Sequence, residues 1–366
     1  MIVKFLAATV FLFVGLSSSA QAADFTIPPS QKPLFTSHEL LEFRLEAPFT
    51  TLFKAKENGF LEARKTKVQG KIVVAGKEIP VTIRMRGYSS LGYCTFPKLM
   101  LKIDKDAAKG TVFEGTKKLD LGTHCQDPAD PESGRMIPHA KPHREALLYR
   151  WAGILGIPAY ASRAARATYV DTDSVLPTGT FDAALFEHLS ALLKRAGARE
   201  IRPVNDSLHE RDPQAEAEDD DGPKYIFKGL EHHPEIDLAH FGKIQIYERL
   251  IGNSDFNISP STIWNLKLIE IPGQKWQFIP LDFNLSNLAL GNYNPNLMMG
   301  GDEVTHFESQ SKDAKIAILD HFLAKRAEIM GTLTALDGEP EAKKGFTEAL
   351  TGRFDELAKM KADLGR

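Results

Sequence analysis

The sequence predicts an α+β fold in which a β-rich part precedes a mainly helical part, and three patterns carry that prediction. Val68, Ile72, Val73 and Val74, then Ile79, Val81, Ile83 and Met85, flank the turn Ala75-Gly76-Lys77 as two strands flank a hairpin. Leu99, Leu101 and Ile103 alternate with Met100 and Lys102 as a third strand. Further on the apolar period becomes helical, with Leu147, Leu148, Trp151, Ile154 and Leu155 on one stretch and Leu238, Phe241, Ile244, Tyr247 and Ile251 on another.

The elements follow in order. The N-terminus has Lys4, an apolar run from Phe5 to Leu16, and small residues ending in Ala20-Gln21-Ala22, the three parts of a secretory signal peptide over residues 1–22. The apolar run falls short of the roughly 20 residues a membrane-spanning helix needs. Residues 23–366 are then expected as a single domain, with a β-rich lobe over about 67–170 and a helical lobe over about 180–366. Residues 24–66 give only weak strand and helix fragments. Residues 124–142, rich in proline and acids, read as a long loop, and a strand is expected over 167–170. Residues 182–196 read as a helix, and the acidic run from Glu216 to Asp221 as a solvated loop, because its acids are adjacent rather than alternating as a calcium loop requires. A hairpin over 263–271 and 275–279 turns at Pro272-Gly273, and two helices are expected from Asp313 onward.

Composition narrows the function classes. The net charge is −3 and the charges are dispersed, which gives no basic face for nucleic acid or anionic membrane. After signal cleavage no integral membrane segment is expected. The only two cysteines are Cys94 and Cys125, and in an exported chain such a pair is expected as a disulfide, with separate buried thiols as the alternative. His139 and His143 have zinc-helix spacing, but Pro142 lies between them, and no G-x-S-x-G elbow is present.

Two stretches carry candidate chemistry. Gly252-Asn253-Ser254-Asp255 follows a buried helix, Asn265 opens a strand, and Pro280-Leu281-Asp282-Phe283-Asn284 closes the hairpin, so acids and an amide gather at one end of a single unit. Phosphoryl transfer needs a carboxylate to orient or deprotonate the acceptor, suiting Asp255, and oxygen ligands for magnesium, suiting Asn265 and Asp282. Asp and Asn in such places also serve as ordinary caps. In the other stretch, Arg86-Gly87-Tyr88-Ser89-Ser90, backbone N–H groups at Gly87, the hydroxyls of Ser89 and Ser90 and the charge of Arg86 suit a phosphate, and equally an ordinary turn.

Taken together these stretches resemble the CotH-like (spore-coat protein H) kinase family. The resemblance rests on R-M-R-G-Y-S-S at 84–90, F-P-K-L-M-L-K at 96–102, His143-Arg144-Glu145, Y-I-F-K at 225–228, G-N-S-D at 252–255, W-N-L-K-L at 264–268 and P-L-D-F-N at 280–284. It implies a divergent two-lobed protein-kinase-like fold and an exported, periplasmic or secreted phosphotransferase that moves the γ-phosphate of ATP, with Mg, to a protein or other envelope acceptor. By the resemblance Asp255 is the catalytic aspartate, Asn265 and Asp282 hold the metal, and Arg86, Gly87, Ser89, Ser90 and Lys102 bind the nucleotide. Asn284 stands where the family commonly has a second acid, and the family's glutamate, expected after the strand ending near Val170, has no evident counterpart. A non-catalytic envelope binding or structural protein, or a small-molecule phosphotransferase, are the competing readings.

Overall fold

The structure, a computed structural model, describes residues 27–87, 89–125, 141–203, 224–225, 230–253, 255–259, 262–291, 304–335 and 340–366. The expected signal peptide, nearly all of the expected loop after His124, the acidic run and most of Y-I-F-K lie outside the described residues.

Seven strands form a closed barrel: β1 (Leu41–Ala47), β2 (Lys67–Val74), β3 (Lys77–Met85), β4 (Leu99–Ile103), β5 (Lys118–Gly122), β6 (Ser162–Asp171) and β7 (Gly179–Glu187), in the order β1-β2-β3-β4-β5-β7-β6. The expected hairpin is β2–β3, paired from Lys67↔Arg84 to Val74↔Lys77, and the expected third strand is β4. Its two-residue connection, Ala75-Gly76, has φ of 47° and 75°, both in the left-handed region that a tight hairpin turn matching strand twist requires. One face of each strand turns inward: Ile79, Val81, Ile83 and Met85 of β3 are buried against Leu45, Ile72, Leu99, Leu101, Leu119 and Phe113.

The barrel closes through a parallel pairing of β1 with β6, from Leu41↔Ala165 to Ala47↔Asp171. This corrects the expected two-lobed kinase-like fold: the sheet leaves no free edge and encloses an apolar core of its own. A second correction concerns residues 182–196, expected as one helix. The first part is strand β7, whose Ala183, Ala184, Leu185 and Phe186 are all buried, and only Leu189–Ala196 is helical. A strand covered on both sides shows a continuous apolar run, which periodicity does not separate from a buried helix.

The rest packs around a second core. Helix α1 (Pro142–Ile154) has Pro142 in its first turn and packs on β6 and β7 from one side and on the short helix Asn287–Leu290 from the other. Its Trp151 is fully buried and donates from Nε1 to Thr332 Oγ1 at 2.8 Å. Helix α2 (Leu189–Ala196) leads into β8 (Arg199–Pro203), which joins β9 (Lys224–Tyr225), β12 (Leu266–Glu270) and β13 (Gln277–Pro280) in the order β13-β12-β8-β9. A separate two-stranded ribbon pairs β10 (Asn257–Ser259) with β11 (Thr262–Trp264). Helix α3 (Leu238–Ile251) is capped by the Asp237 side chain and buries Phe241, Ile244, Tyr247 and Ile251 as expected, whereas Leu238 at its start is exposed. Helices α4 (Lys312–Ala324) and α5 (Pro340–Gly365), with the short helix Arg326–Gly331 between them, complete this core. Among the described residues no helix is long and apolar enough to cross a membrane.

Candidate functional site

The site begins where α3 ends. Gly252 takes φ 67° as the C-cap, and a Cβ there would lie 2.9 Å from the Cβ of Asn287, so both the turn and the close approach demand glycine. The chain that leaves this cap carries Asp255 towards β11 and β12. Trp264 Nε1 donates to Asp255 Oδ1 at 3.1 Å, and Asn265 Nδ2 donates to Asp255 Oδ2 at 3.0 Å and to its carbonyl oxygen at 2.5 Å. Burial pushes the Asp255 carboxyl above its usual range and the nearby charge of Asp282 adds to this, while the bonds from Trp264 and Asn265 pull against it. Asn265 commits its NH₂ to Asp255, so its amide oxygen is the atom left for a ligand.

Asp282 stands just beyond β13, at the hairpin end where Leu281 N donates to Asn265 O at 3.0 Å. Its backbone N–H donates to Tyr149 Oη at 2.8 Å, and its Oδ1 accepts from Lys98 Nζ at 2.5 Å. Lys98 also lies 3.7 Å from Glu145 Oε1. Lys98 comes from the approach to β4, where its carbonyl accepts from Arg86 N, and Glu145 and Tyr149 come from one face of α1, four residues apart. Burial opposes the Lys98 charge, but the carboxylates of Asp282 and Glu145 outweigh it and raise its pKa. Burial pushes Glu145 up to about 7 despite the pull of Lys98.

Five described residues other than glycine have positive φ, and two of them, Ala75 and Ser174, sit in turns beside barrel strands. The others are Asn265 at 54°, Asp282 at 64° and Cys125 at 65°. Asn and Asp adopt this region at the least cost of the residues with a side chain. Cys125 has no such tolerance and is fixed by a disulfide to Cys94, while its carbonyl accepts from Phe96 N at 3.1 Å and Thr95 Oγ1 at 3.3 Å. The disulfide forms one wall of a small pocket whose other walls include Ser90, Lys98, Lys141, Glu145 and Asn284. In that pocket the buried Oδ1 of Asn284 has no hydrogen-bond partner among the described residues.

Neither models of known protein families nor curated proteins match this chain.

Of the residues singled out from sequence, Asp255, Asn265 and Asp282 are gathered around one region together with Lys98 and Glu145. Arg86 is ion-paired to the buried Asp120 of β5, so its charge is largely engaged. Gly87 has φ 96°, and Ser90 lines the pocket while its Oγ donates to Arg86 O at 3.1 Å. The backbone of Ser89 starts a short helix, Ser89–Tyr93, and its side chain lies outside the described residues. Lys102 is exposed on the outer face of β4, opposite Thr82 and Lys118. The lysine at the acids is Lys98, from the same F-P-K-L-M-L-K stretch. Glu145 was also missed as a site residue, although an acid on the apolar face of α1, beside Ala146 and Tyr149, is a readable signal.

A hard divalent cation fits the donors in part. Among the described residues no group of three or more His, Cys, Asp and Glu side chains is placed to hold a metal ion unaided. Asp282 already faces a positive group, the Lys98 ammonium, and the amide oxygens of Asn265 and Asn284 are oxygen donors, the Asn284 oxygen being buried and unpartnered. One carboxylate and two amides suit a magnesium ion that takes its remaining ligands from phosphates and water.

Proposed function

We propose that the protein is an exported phosphotransferase that moves the γ-phosphate of ATP, with Mg, to a hydroxyl of a protein or other envelope acceptor. The observation that carries this reading is the pairing of two unlike acid centres: Asp282 paired with Lys98, which Glu145 also approaches, and Asp255 held by the neutral donors of Trp264 and Asn265. Lys98 supplies a charge for phosphate oxygens, and Glu145 keeps its ammonium in place. Asp282, with Asn265 and Asn284, would hold Mg, which supplies charge neutralisation to the phosphates. Asp255 orients the acceptor hydroxyl and takes its proton as the new oxygen–phosphorus bond forms and the bond from the γ-phosphorus to the leaving ADP breaks. A carboxyl raised by burial holds that proton better than an exposed one.

The motif resemblance to CotH-like kinases supports the same chemistry, independently of the fold it implied. The N-terminal signal pattern supports export to the periplasm or beyond, and the Cys94–Cys125 disulfide agrees with an oxidising compartment. One observation favours a non-catalytic binding protein of the envelope instead: Asn284 takes the place of a second acid and leaves the phosphate side with a single metal-binding carboxylate. Transfer of labelled γ-phosphate to an envelope extract decides between them. The phosphotransferase reading expects transfer by the wild type and its loss in Asp255→Asn. Absence of transfer by the wild type, with nucleotide binding retained, overturns it in favour of the binding protein.

A further inference from the structure

Two turns' worth of buried polar groups connect the core of the helical part to Asp255. The Asp255 backbone N–H donates to Asn253 Oδ1 at 3.2 Å. A backbone N–H is only a donor, so the Asn253 amide must turn its oxygen this way and its NH₂ the other. That NH₂ meets Glu248 Oε2 at 2.9 Å, and the Asn253 N–H closes the loop onto the Glu248 carbonyl at 2.9 Å. Glu248 and Asn253 are both wholly inaccessible to solvent.

Glu248 Oε1, also buried, has no hydrogen-bond partner among the described residues. An ionised carboxylate with one oxygen unsatisfied in an apolar core is expensive, whereas a neutral acid can carry its proton on that oxygen and still accept from Asn253 on the other. The charged and titratable neighbours do not alter this. Arg249, next on α3, reaches Glu356 of α5, and Arg353 of α5 also turns to Glu356 while its guanidinium approaches Gly252. His306, from the short helix Thr305–Glu308, packs at a tilt against Phe241 two turns earlier, and the Tyr247 hydroxyl is given to Leu148 O. Burial pushes the Glu248 carboxyl up to about 8, against the opposing bond from Asn253, and the charge of Asp255 adds a little to the rise.

We propose that Glu248 is a positioning residue that works as a neutral acid, holding the Asn253 amide in the one orientation that fixes Asp255. Ionisation of Glu248 in mildly alkaline solution strengthens its bond from Asn253 but leaves a buried charge on the unpartnered Oε1, and relief of that charge shifts Glu248, the Asn253 amide and with it Asp255, without any contact between the two carboxyls. The role acquires its meaning from the phosphotransferase reading of Asp255 and so rests on it. The measurement needs neither nucleotide nor acceptor, so the two can fail separately.

Trp264 Nε1–H donates to Asp255 Oδ1 and is therefore a reporter on its position. The chain has three tryptophans, so the Trp264 indole resonance in the ¹⁵N-labelled full chain is assigned by Trp264→Phe. In the wild type this resonance is expected to move with a midpoint near pH 8. In Glu248→Gln, which keeps the acceptor and cannot ionise, it should stay at its neutral-form position from pH 7 to 9, and in Glu248→Ala it should be displaced at every pH. Thermal melts across the same variants guard against a folding defect. Below the unfolded value of 4.5 both states hold the proton; between 4.5 and about 8 only the folded state does, so wild-type stability should fall relative to Glu248→Gln over that window and level off above it. A Trp264 resonance that moves alike in wild type and Glu248→Gln, or does not move in the wild type, overturns the proposal.

Discussion

Asp255 and Asp282 sit at the same end of one hairpin unit and are the same side chain in unlike surroundings. Asp282 is partly exposed and faces the Lys98 ammonium, whereas Asp255 is half-buried and, among the described residues, its carboxylate meets the neutral N–H groups of Trp264 and Asn265. A carboxylate held by neutral donors under partial burial is tuned to take up a proton, and burial raises the Asp255 carboxyl accordingly. Under the proposed function, the difference suits Asp282 to binding and Asp255 to proton transfer. A third acid, Asp171 at the end of β6, shows what a purely architectural carboxylate looks like: it accepts from Thr50 N, Thr50 Oγ1, Asp173 N, Val175 N and Leu176 N and keeps nothing for a ligand.

The largest effect expected from this contrast is at Asp282. Under the proposed function, Asp282→Ala removes the carboxylate offered to the metal and should abolish the rise in melting temperature expected of the wild type with Mg²⁺-ATP, measured by calorimetry; a retained shift would show that the two acids are not divided as described. Asp255→Asn should leave that shift in place and lower turnover by about 10²–10⁴-fold, the range typical of a lost general base. Loss of binding in Asp255→Asn and loss of turnover alone in Asp282→Ala would reverse the assignment.

The disulfide tests whether the pocket wall is held independently of the acids. It spans a sequence separation of 31, and removing such a link costs about 3–4 kcal/mol on the chain-entropy account. The Cys94→Ser, Cys125→Ser double variant should melt lower by a corresponding amount, while the Trp264 indole resonance beside Asp255 stays where it is. The smallest effect concerns Asp171. Burial alone would raise its carboxyl, but the hydrogen bonds outweigh it and hold it down to about 2, from 3.8. The stability it contributes is present above 3.8 and lost as pH falls through 2, a difference of about 2 kcal/mol that Asp171→Asn should remove from acid denaturation curves.

How far the sequence discloses this arrangement depends on the range of the interaction. The β2–β3 hairpin is legible because one strand face is apolar and the turn is local. The barrel is not, because its closure depends on β1 pairing with β6, more than a hundred residues away and parallel, and nothing in the weak pattern of residues 41–47 announces a partner. Asp255, Asn265 and Asp282 are legible as a set because each follows a helix or strand end within one hairpin. Choosing Lys98 over Lys102 is a matter of register: with Met100 between them they share one side of β4, so alternation treats them alike, and only the placement of α1 and Asp282 separates them. Glu145 reads locally as an acid complementing the first turn of α1, and its burial against Lys98 is a tertiary fact.

Lys98 is therefore the most direct test of the account, since it joins the barrel to both acids of the phosphate side. Thermal melts of wild type and Lys98→Ala are measured with Mg²⁺-ATP, with ATP alone and with Mg²⁺ alone. A ligand at about one hundred times its Kd adds about 2.7 kcal/mol to the folded state, a rise of several degrees. The account predicts that rise for the wild type with Mg²⁺-ATP and its loss in Lys98→Ala, with the variant still folding cooperatively. No rise in the wild type, or an equal rise in the variant, would contradict it.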